Sequence, residues 1–93
     1  MERRRVVFKV DVAYRTTQLQ LKEIPQVISN IIAKIPETQL DRVHFASYGP
    51  YSLVFEVVHN VLNSDYNKYM NIQQEINLGI KEVFEKRGIE FAY

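Results

Sequence analysis

Along this chain the spacing of apolar residues alternates between two and about 3.6, and that alternation leaves few folds open. Val6, Phe8, Val10, Val12 and Tyr14 share one parity while Lys9 and Asp11 take the other, as in a strand with one face buried. Thr17 and Gln20 then fit a capping box, in which the hydroxyl accepts from an early helix N–H and the amide reaches back. Leu21, Ile24, Ile28, Ile31, Ile32 and Ile35 follow at helical spacing and form one apolar stripe. Pro25 is expected in the first turns of this helix, with a small kink, and Pro36 closes it.

Asp41 to Tyr48 reads as a second, weaker strand with Val43 and Phe45 inward, and Gly49-Pro50 punctuates a turn. Leu53 to Leu62 is apolar on both parities apart from Glu56, His59 and Asn60, which points to a central strand. Asn63, Ser64 and Asp65 are three candidate caps for a second helix reaching Lys86 or Arg87, lined by Tyr69, Gln73, Ile76, Ile80, Val83 and Phe84. Arg87-Gly88 supplies a basic last turn and a left-handed stop, and Ile89 to Tyr93 reads as a last short strand. The order is β-α-β-β-α-β. Helices with one apolar stripe and strands with one apolar face stack in two layers. Right-handed crossovers around a hairpin then predict an α+β, ferredoxin-like sandwich with an antiparallel sheet in the order 4-1-3-2. No linker or repeat interrupts residues 1–93, so one domain is expected.

That fold hosts many activities, so function has to come from side chains. The net charge is +1, and the basic cluster Arg3-Arg4-Arg5 is short, unlike the basic face of a nucleic-acid binder. Phe8 and Phe55 share parity with aliphatic residues, which turns them toward the helices and away from the open face where an RNA-binding sheet stacks bases. Tyr14-Arg15-Thr16-Thr17 has no glycine to cradle a phosphate, which argues against an acylphosphatase-type enzyme. The absence of cysteine excludes disulfides, thiolate metal sites and a cysteine nucleophile. His44 and His59, with Glu56 as a third ligand, are the one metal alternative across the hairpin. Packing or solvent-facing roles are the favoured reading of both histidines. Asp41, Asp65, Glu82, Glu85 and Glu90 show no acid–base pairing, and no run is apolar and long enough for a bilayer. No catalytic residue, cofactor or metal is expected.

The aromatics are more telling. Six tyrosines and five phenylalanines are many for this length, and Tyr48, Tyr51, Tyr66 and Tyr93 fall at turns and element ends. Amphipathic aromatics in such places are enriched in protein interfaces. Gln73, Gln74 and Asn77 add an uncharged polar stretch on an otherwise charged helix. These seven residues are the candidate subunit interface.

Val61 to Asn77, with its tyrosines and its paired glutamines, resembles the C-terminal α/β domain of the small-conductance mechanosensitive (MscS) channel family. Arg4-Arg5-Val6-Val7-Phe8, Tyr14-Arg15-Thr16-Thr17, Asp41-Arg42-Val43-His44-Phe45 and Gly88 to Tyr93 support the resemblance in the same order. Asp11, Asn71 and the mid-helix Gly79 depart from it. The resemblance implies the cytoplasmic cage of a tension-gated channel of seven identical subunits in the cell membrane. Such a cage passes ions and small solutes, and the transmembrane helices and middle β domain would lie outside this segment. A closed ring needs its other contacts, so the segment alone is expected to be monomeric or weakly associated. A regulatory ferredoxin-like domain taking a small ligand at a subunit interface is the alternative.

Overall fold

A computed structural model of the chain describes residues 3–92. Strand β1 (Arg4–Val12) leads through a short loop to helix α1 (Gln18–Ala33). Strands β2 (Thr38–Tyr48) and β3 (Leu53–Val61) form a hairpin, and helix α2 (Tyr66–Arg87) returns over the sheet. The sheet order is β1-β3-β2, with β3 antiparallel to both neighbours. The strand with apolar residues on both parities is therefore the central one. Phe55, Val57, His59 and Val61 face the helices, while Val58 is buried on the other side between Val7 and Arg42.

The expected fourth strand is reduced, among the described residues, to a single bridge between Val12 and Phe91 on the outer side of β1. Two hydrogen bonds flank it: Ala13 N–H to the Glu90 carbonyl, 2.9 Å, and Ala92 N–H to the Asp11 carbonyl, 3.1 Å. Phe91 stacks on Phe84 with centroids 5.1 Å apart, which fastens this segment to α2.

The helix ends follow their local chemistry. Thr17 and Gln20 close the expected capping box, with the Gln20 N–H donating to Thr17 Oγ1 at 3.2 Å. Of the three candidate caps for α2, Asp65 takes the role and accepts from the Asn67 N–H at 2.9 Å, while Asn63 Oδ1 accepts from the Asp65 N–H. Gly88 adopts φ 70°, and the Ile89 N–H bonds back to the Phe84 carbonyl, a left-handed stop that glycine makes without a side-chain clash. Pro25 lies inside α1, which runs on past it to Ala33. A Cβ at Gly79 would lie 2.9 Å from Ile31 Cγ2, so this glycine admits α1 close to α2.

Three expectations need correction. Tyr14 is not in β1; it lies in the loop after it and is exposed, because the chain turns at Ala13 before the parity pattern ends. Strand β2 starts three residues earlier than expected, at Thr38, and carries bulges at Asp41 and Ala46. Phe45 does turn toward the core, stacking on Phe55 at 5.2 Å, but stays partly exposed at the sheet margin.

Candidate functional site

The expected interface residues fall into two regions, because the elements that carry them run in opposite directions. At the hairpin end, Tyr48 and Tyr51 are 76% and 79% exposed. The Tyr48 ring meets Phe45 edge-on at 5.3 Å, and Phe45 in turn rests on buried Phe55. Tyr14 donates its hydroxyl proton to the Gly49 carbonyl, which ties the hairpin to the loop after β1. The Gly49 N–H closes the turn on the Ser52 carbonyl at 2.7 Å. The exposed aromatic patch is thus Tyr14, Phe45, Tyr48 and Tyr51, held on a fixed turn. Its Tyr14 was not among the expected interface residues, and only its neighbours in space reveal it.

The other region lies along α2, which begins at the far end of β3, a nine-residue strand of about 30 Å. Tyr66, Met70, Gln74 and Leu78 follow one another at four-residue steps, all exposed, so they stand in one row on the helix surface. Gln73 reaches Asn77 Oδ1 at 3.1 Å and is half-buried, whereas Gln74 and Asn77 face outward. This row carries no formal charge. Its first residue is fixed from below: the Arg4 guanidinium lies 4.9 Å from the Tyr69 ring centroid and 5.9 Å from that of Tyr66. Arg5 pairs with Asp41 at 3.0 Å. Two of the three leading arginines therefore fasten β1 to its neighbours and do not form a shared phosphate site. Tyr93, the seventh expected residue, lies outside the described residues.

Glu37 supports the start of α2 from the loop after α1. Its backbone adopts φ 63°, an uncommon conformation for a residue with a side chain. Its carbonyl accepts from the Leu62 N–H, and its carboxylate meets Lys68 Nζ at 2.7 Å and Asn63 Nδ2 at 2.9 Å. The Lys68 and Asn63 hydrogen bonds hold the Glu37 carboxyl below its usual range.

The two histidines do not meet. His44 is exposed on the outer face opposite Glu56, whereas His59 is fully buried under the helices opposite Leu40. Glu56 and His59 are three residues apart on one strand and so point to opposite faces. Among the described residues no group of three or more metal-ligating side chains converges. His59 Nδ1 lies 3.0 Å from Thr38 Oγ1, and its ring meets Phe8 edge-on at 5.8 Å. Thr38 also donates to the Asn60 carbonyl at 3.1 Å. With its single hydroxyl proton committed there, Thr38 accepts from Nδ1–H, and Nε2 has no hydrogen-bond partner. Burial lowers the His59 pKa, and the nearby Gln73 amide, outside hydrogen-bonding geometry to Nε2, opposes that shift.

A groove of about 570 Å³ runs between α1 and α2 and is lined by Ile31, Lys34, Glu75, Leu78, Glu82 and Arg87 among others. Charges of both signs on an open trough do not specify a ligand. None of the described helices is long and apolar enough to cross a membrane.

Comparison with known proteins places these surfaces in a family. The family described as "Mechanosensitive ion channel MscS, C-terminal" matches residues 6–91. The chain is 41% identical over 93 residues to the small-conductance mechanosensitive channel MscMJ of Methanocaldococcus jannaschii, an alignment that covers 99% of this chain and 27% of that protein. It is 36% identical over 89 residues to the large-conductance channel MscMJLR of the same organism, covering 90% of this chain and 25% of that one. The chain thus spans about a quarter of the length of these curated relatives. Two cryo-EM structures of Arabidopsis thaliana MSL1 superpose on it with TM-scores of 0.84 and 0.81. They cover the whole of this chain and 36% and 35% of theirs, at 13% and 14% identity, so they speak for the fold alone. From the family match and the channel relatives together, this chain belongs to the MscS family of mechanosensitive ion channels, within the C-terminal domain of that family.

Proposed function

We infer that this chain is the cytoplasmic cage domain of a mechanosensitive channel that relieves osmotic stress. In this reading it contributes to assembly and solute filtering, not to the pore and not to catalysis. The observation that carries the reading is the family match over nearly the whole chain, together with 41% identity to a named channel. Residues 1–93 would be one domain of a longer subunit in the cell membrane, with the membrane-crossing and middle β parts outside it. The Val12–Phe91 bridge would be the first rung of the fourth strand of a 4-1-3-2 sheet.

Seven copies would close a ring. A closed ring of identical subunits uses heterologous contacts, in which two different patches of the same chain meet. The surface offers such a pair: the aromatic hairpin end around Tyr48 and Tyr51, and the uncharged row of Tyr66, Met70, Gln74 and Leu78 on α2. Gaps between neighbours would then admit ions and small solutes according to width and lining charge.

These 93 residues contain no cysteine, so with any cysteine elsewhere in the parent replaced, an introduced pair reports a single contact. In the full-length parent subunit, cysteine placed at Tyr51 and at Leu78 should give an oxidised ladder that ends at seven subunits. A ladder that stops at two, or a parent without membrane-spanning segments, would overturn the reading. The isolated chain should scatter light as a monomer or weak associate, and a stable heptamer at micromolar concentration would contradict that part of it.

A further inference from the structure

His59 lies on the central strand, with β1 on one side, β2 on the other and the helices above it, so both of its neighbours in the sheet belong to this chain. The ring is fully buried. Thr38 Oγ1 holds Nδ1 at 3.0 Å, whereas Nε2 has no hydrogen-bond partner. A buried polar atom left in that state is rare in a native fold. The Gln73 amide stands beside the ring from α2, and its nitrogen is engaged elsewhere, donating to Asn77 Oδ1 at 3.1 Å. Gln73 is half-buried and Asn77 exposed, so the three residues lead from the core to the surface of α2. The ionisable groups on the surrounding elements are held by other partners or face solvent. On β1, Arg4 lies over the Tyr66 and Tyr69 rings of α2. Before β2, the Glu37 carboxylate is bonded to Lys68 and Asn63. On α1, Lys22, Glu23 and Lys34 are exposed. Among the described residues, burial and the Gln73 amide, not a charged neighbour, govern proton uptake by the ring.

We propose that His59, Gln73 and Asn77 form a proton-driven switch, in which one proton taken up at His59 Nε2 turns the Gln73 carbonyl inward and releases Asn77 on the surface of α2. Each step follows from what the groups can donate and accept. In the neutral ring Nδ1 carries the proton and donates to Thr38, so Nε2 presents a lone pair. The Gln73 carbonyl oxygen is also an acceptor and gains nothing by approaching it. A proton from solvent makes Nε2 a donor, and a charged N–H bonds more strongly than a neutral one. Gln73 Oε1 is the acceptor at hand. As the amide turns inward its nitrogen leaves Asn77 Oδ1, and a neutral surface bond is exchanged for a buried, charge-assisted one. The charge still sits in an apolar core, and burial keeps the ring below the ordinary histidine pKa of about 6.5. The switch is therefore off at neutral pH and operates on the acid side of that value. It needs only residues of this chain and does not rest on the channel reading.

The test is an NMR titration of the 93-residue chain from about pH 7.5 to about pH 5, the range in which histidines titrate. It reads the His59 ring nitrogens together with the side-chain amides of Gln73 and Asn77, and the His44→Gln variant tells the two histidine rings apart. At the start the His59 ring should carry its proton on Nδ1 alone. As Nε2 becomes protonated, the Gln73 and Asn77 amide signals should move with the same midpoint, while that of exposed Gln74 stays in place. Gln73→Glu sets a carboxylate beside the ring and should raise the His59 midpoint by about one pH unit or more. Gln73→Leu removes the acceptor, so the midpoint should fall and Asn77 should cease to respond. The two variants keep the test decisive where one of them fails to fold. Gln73 and Asn77 signals that stay fixed while His59 titrates would overturn the proposal, as would an unchanged midpoint in Gln73→Glu. So would a ring that takes up its proton only as the β3 amides lose their dispersion, because the acid response would then be unfolding alone.

Discussion

The two edges of the sheet solve the same problem differently. Each strand leaves a row of backbone groups facing away from β3, and such a row is a template for unwanted pairing. On β2 the chain breaks the row with bulges at Asp41 and Ala46, which raise the local twist and interrupt the ladder. Ion pairs cross the outer face beside it, Arg5 to Asp41 at 3.0 Å and Arg42 to Glu56 at 2.7 Å. On β1 the strand stays regular and the edge is covered by other structure, with residues 90–92 pairing at one end and α2 overhanging the rest. An edge guarded by its own irregularity needs no partner. An edge guarded by a docked segment depends on whatever holds that segment in place.

Phe84 is what holds it. The ring is fully buried and stacks on Phe91, so Phe84→Ala removes core volume and the anchor of residues 89–92 together. The expected loss is about 3–5 kcal/mol in a denaturant titration. Amide exchange should accelerate at Ala13 and Ala92 before it does in the β2–β3 ladder. Uniform acceleration across both edges would show that they share one cooperative unit and that the contrast is only geometric.

Acidification should come next in size, because it acts between the edges. His59 pairs with Val6 of β1 on one side and Leu40 of β2 on the other, and its Nε2 has no partner. Protonation would place a charge and an unsatisfied N–H in the core, which is costly. Its pKa is lowered in the folded chain by burial, so the unfolded chain binds the proton first. Stability is therefore complete above about pH 6.5, the ordinary histidine value, and falls as the pH drops below it. Thermal midpoints measured from pH 7.5 down to pH 5 should show this decline, and His59→Leu should flatten it. A variant with an unchanged slope would move the effect to other groups.

Gly88→Ala probes the same docked segment more gently. The left-handed φ of 70° costs a residue with a side chain about 1 kcal/mol, while the space around a new Cβ is empty within 4 Å. The free energy of unfolding should fall by that amount without loss of the Phe84–Phe91 stacking, seen as unchanged ring-shifted signals in the proton spectrum.

What could be read in the sequence follows the range of the interactions involved. The capping box at Thr17 and Gln20, the stop at Gly88 and the central position of Leu53 to Val61 depend on neighbours in the chain or on burial of both faces, so composition and spacing reveal them. The bulges at Asp41 and Ala46 lie in an exposed strand, where no buried face enforces a parity that their presence would break. Arg4 looked like part of a basic cluster because its aromatic partners, Tyr66 and Tyr69, are more than sixty residues away. The expected interface residues were chosen by type and by position at element ends. Their division into a hairpin patch and an α2 row, and the inclusion of Tyr14, Met70 and Leu78, depend on strand direction and helix phase.

The smallest effect tests the guarded edge. Arg42 and Glu56 are both partly exposed, and an ion pair in contact with water contributes little. Arg42→Ala should change stability by no more than about 0.5 kcal/mol. Its value lies in association. If the bulges at Asp41 and Ala46 protect β2, the variant should remain as monomeric as the parent in sedimentation at rising concentration. If charge is the guard, removing Arg42 leaves a less charged outer face beside an open ladder, and association should appear while unfolding is almost unchanged. The first outcome assigns protection to backbone geometry, the second to side chains, and only the first keeps β2 distinct from an edge guarded by what packs beside it.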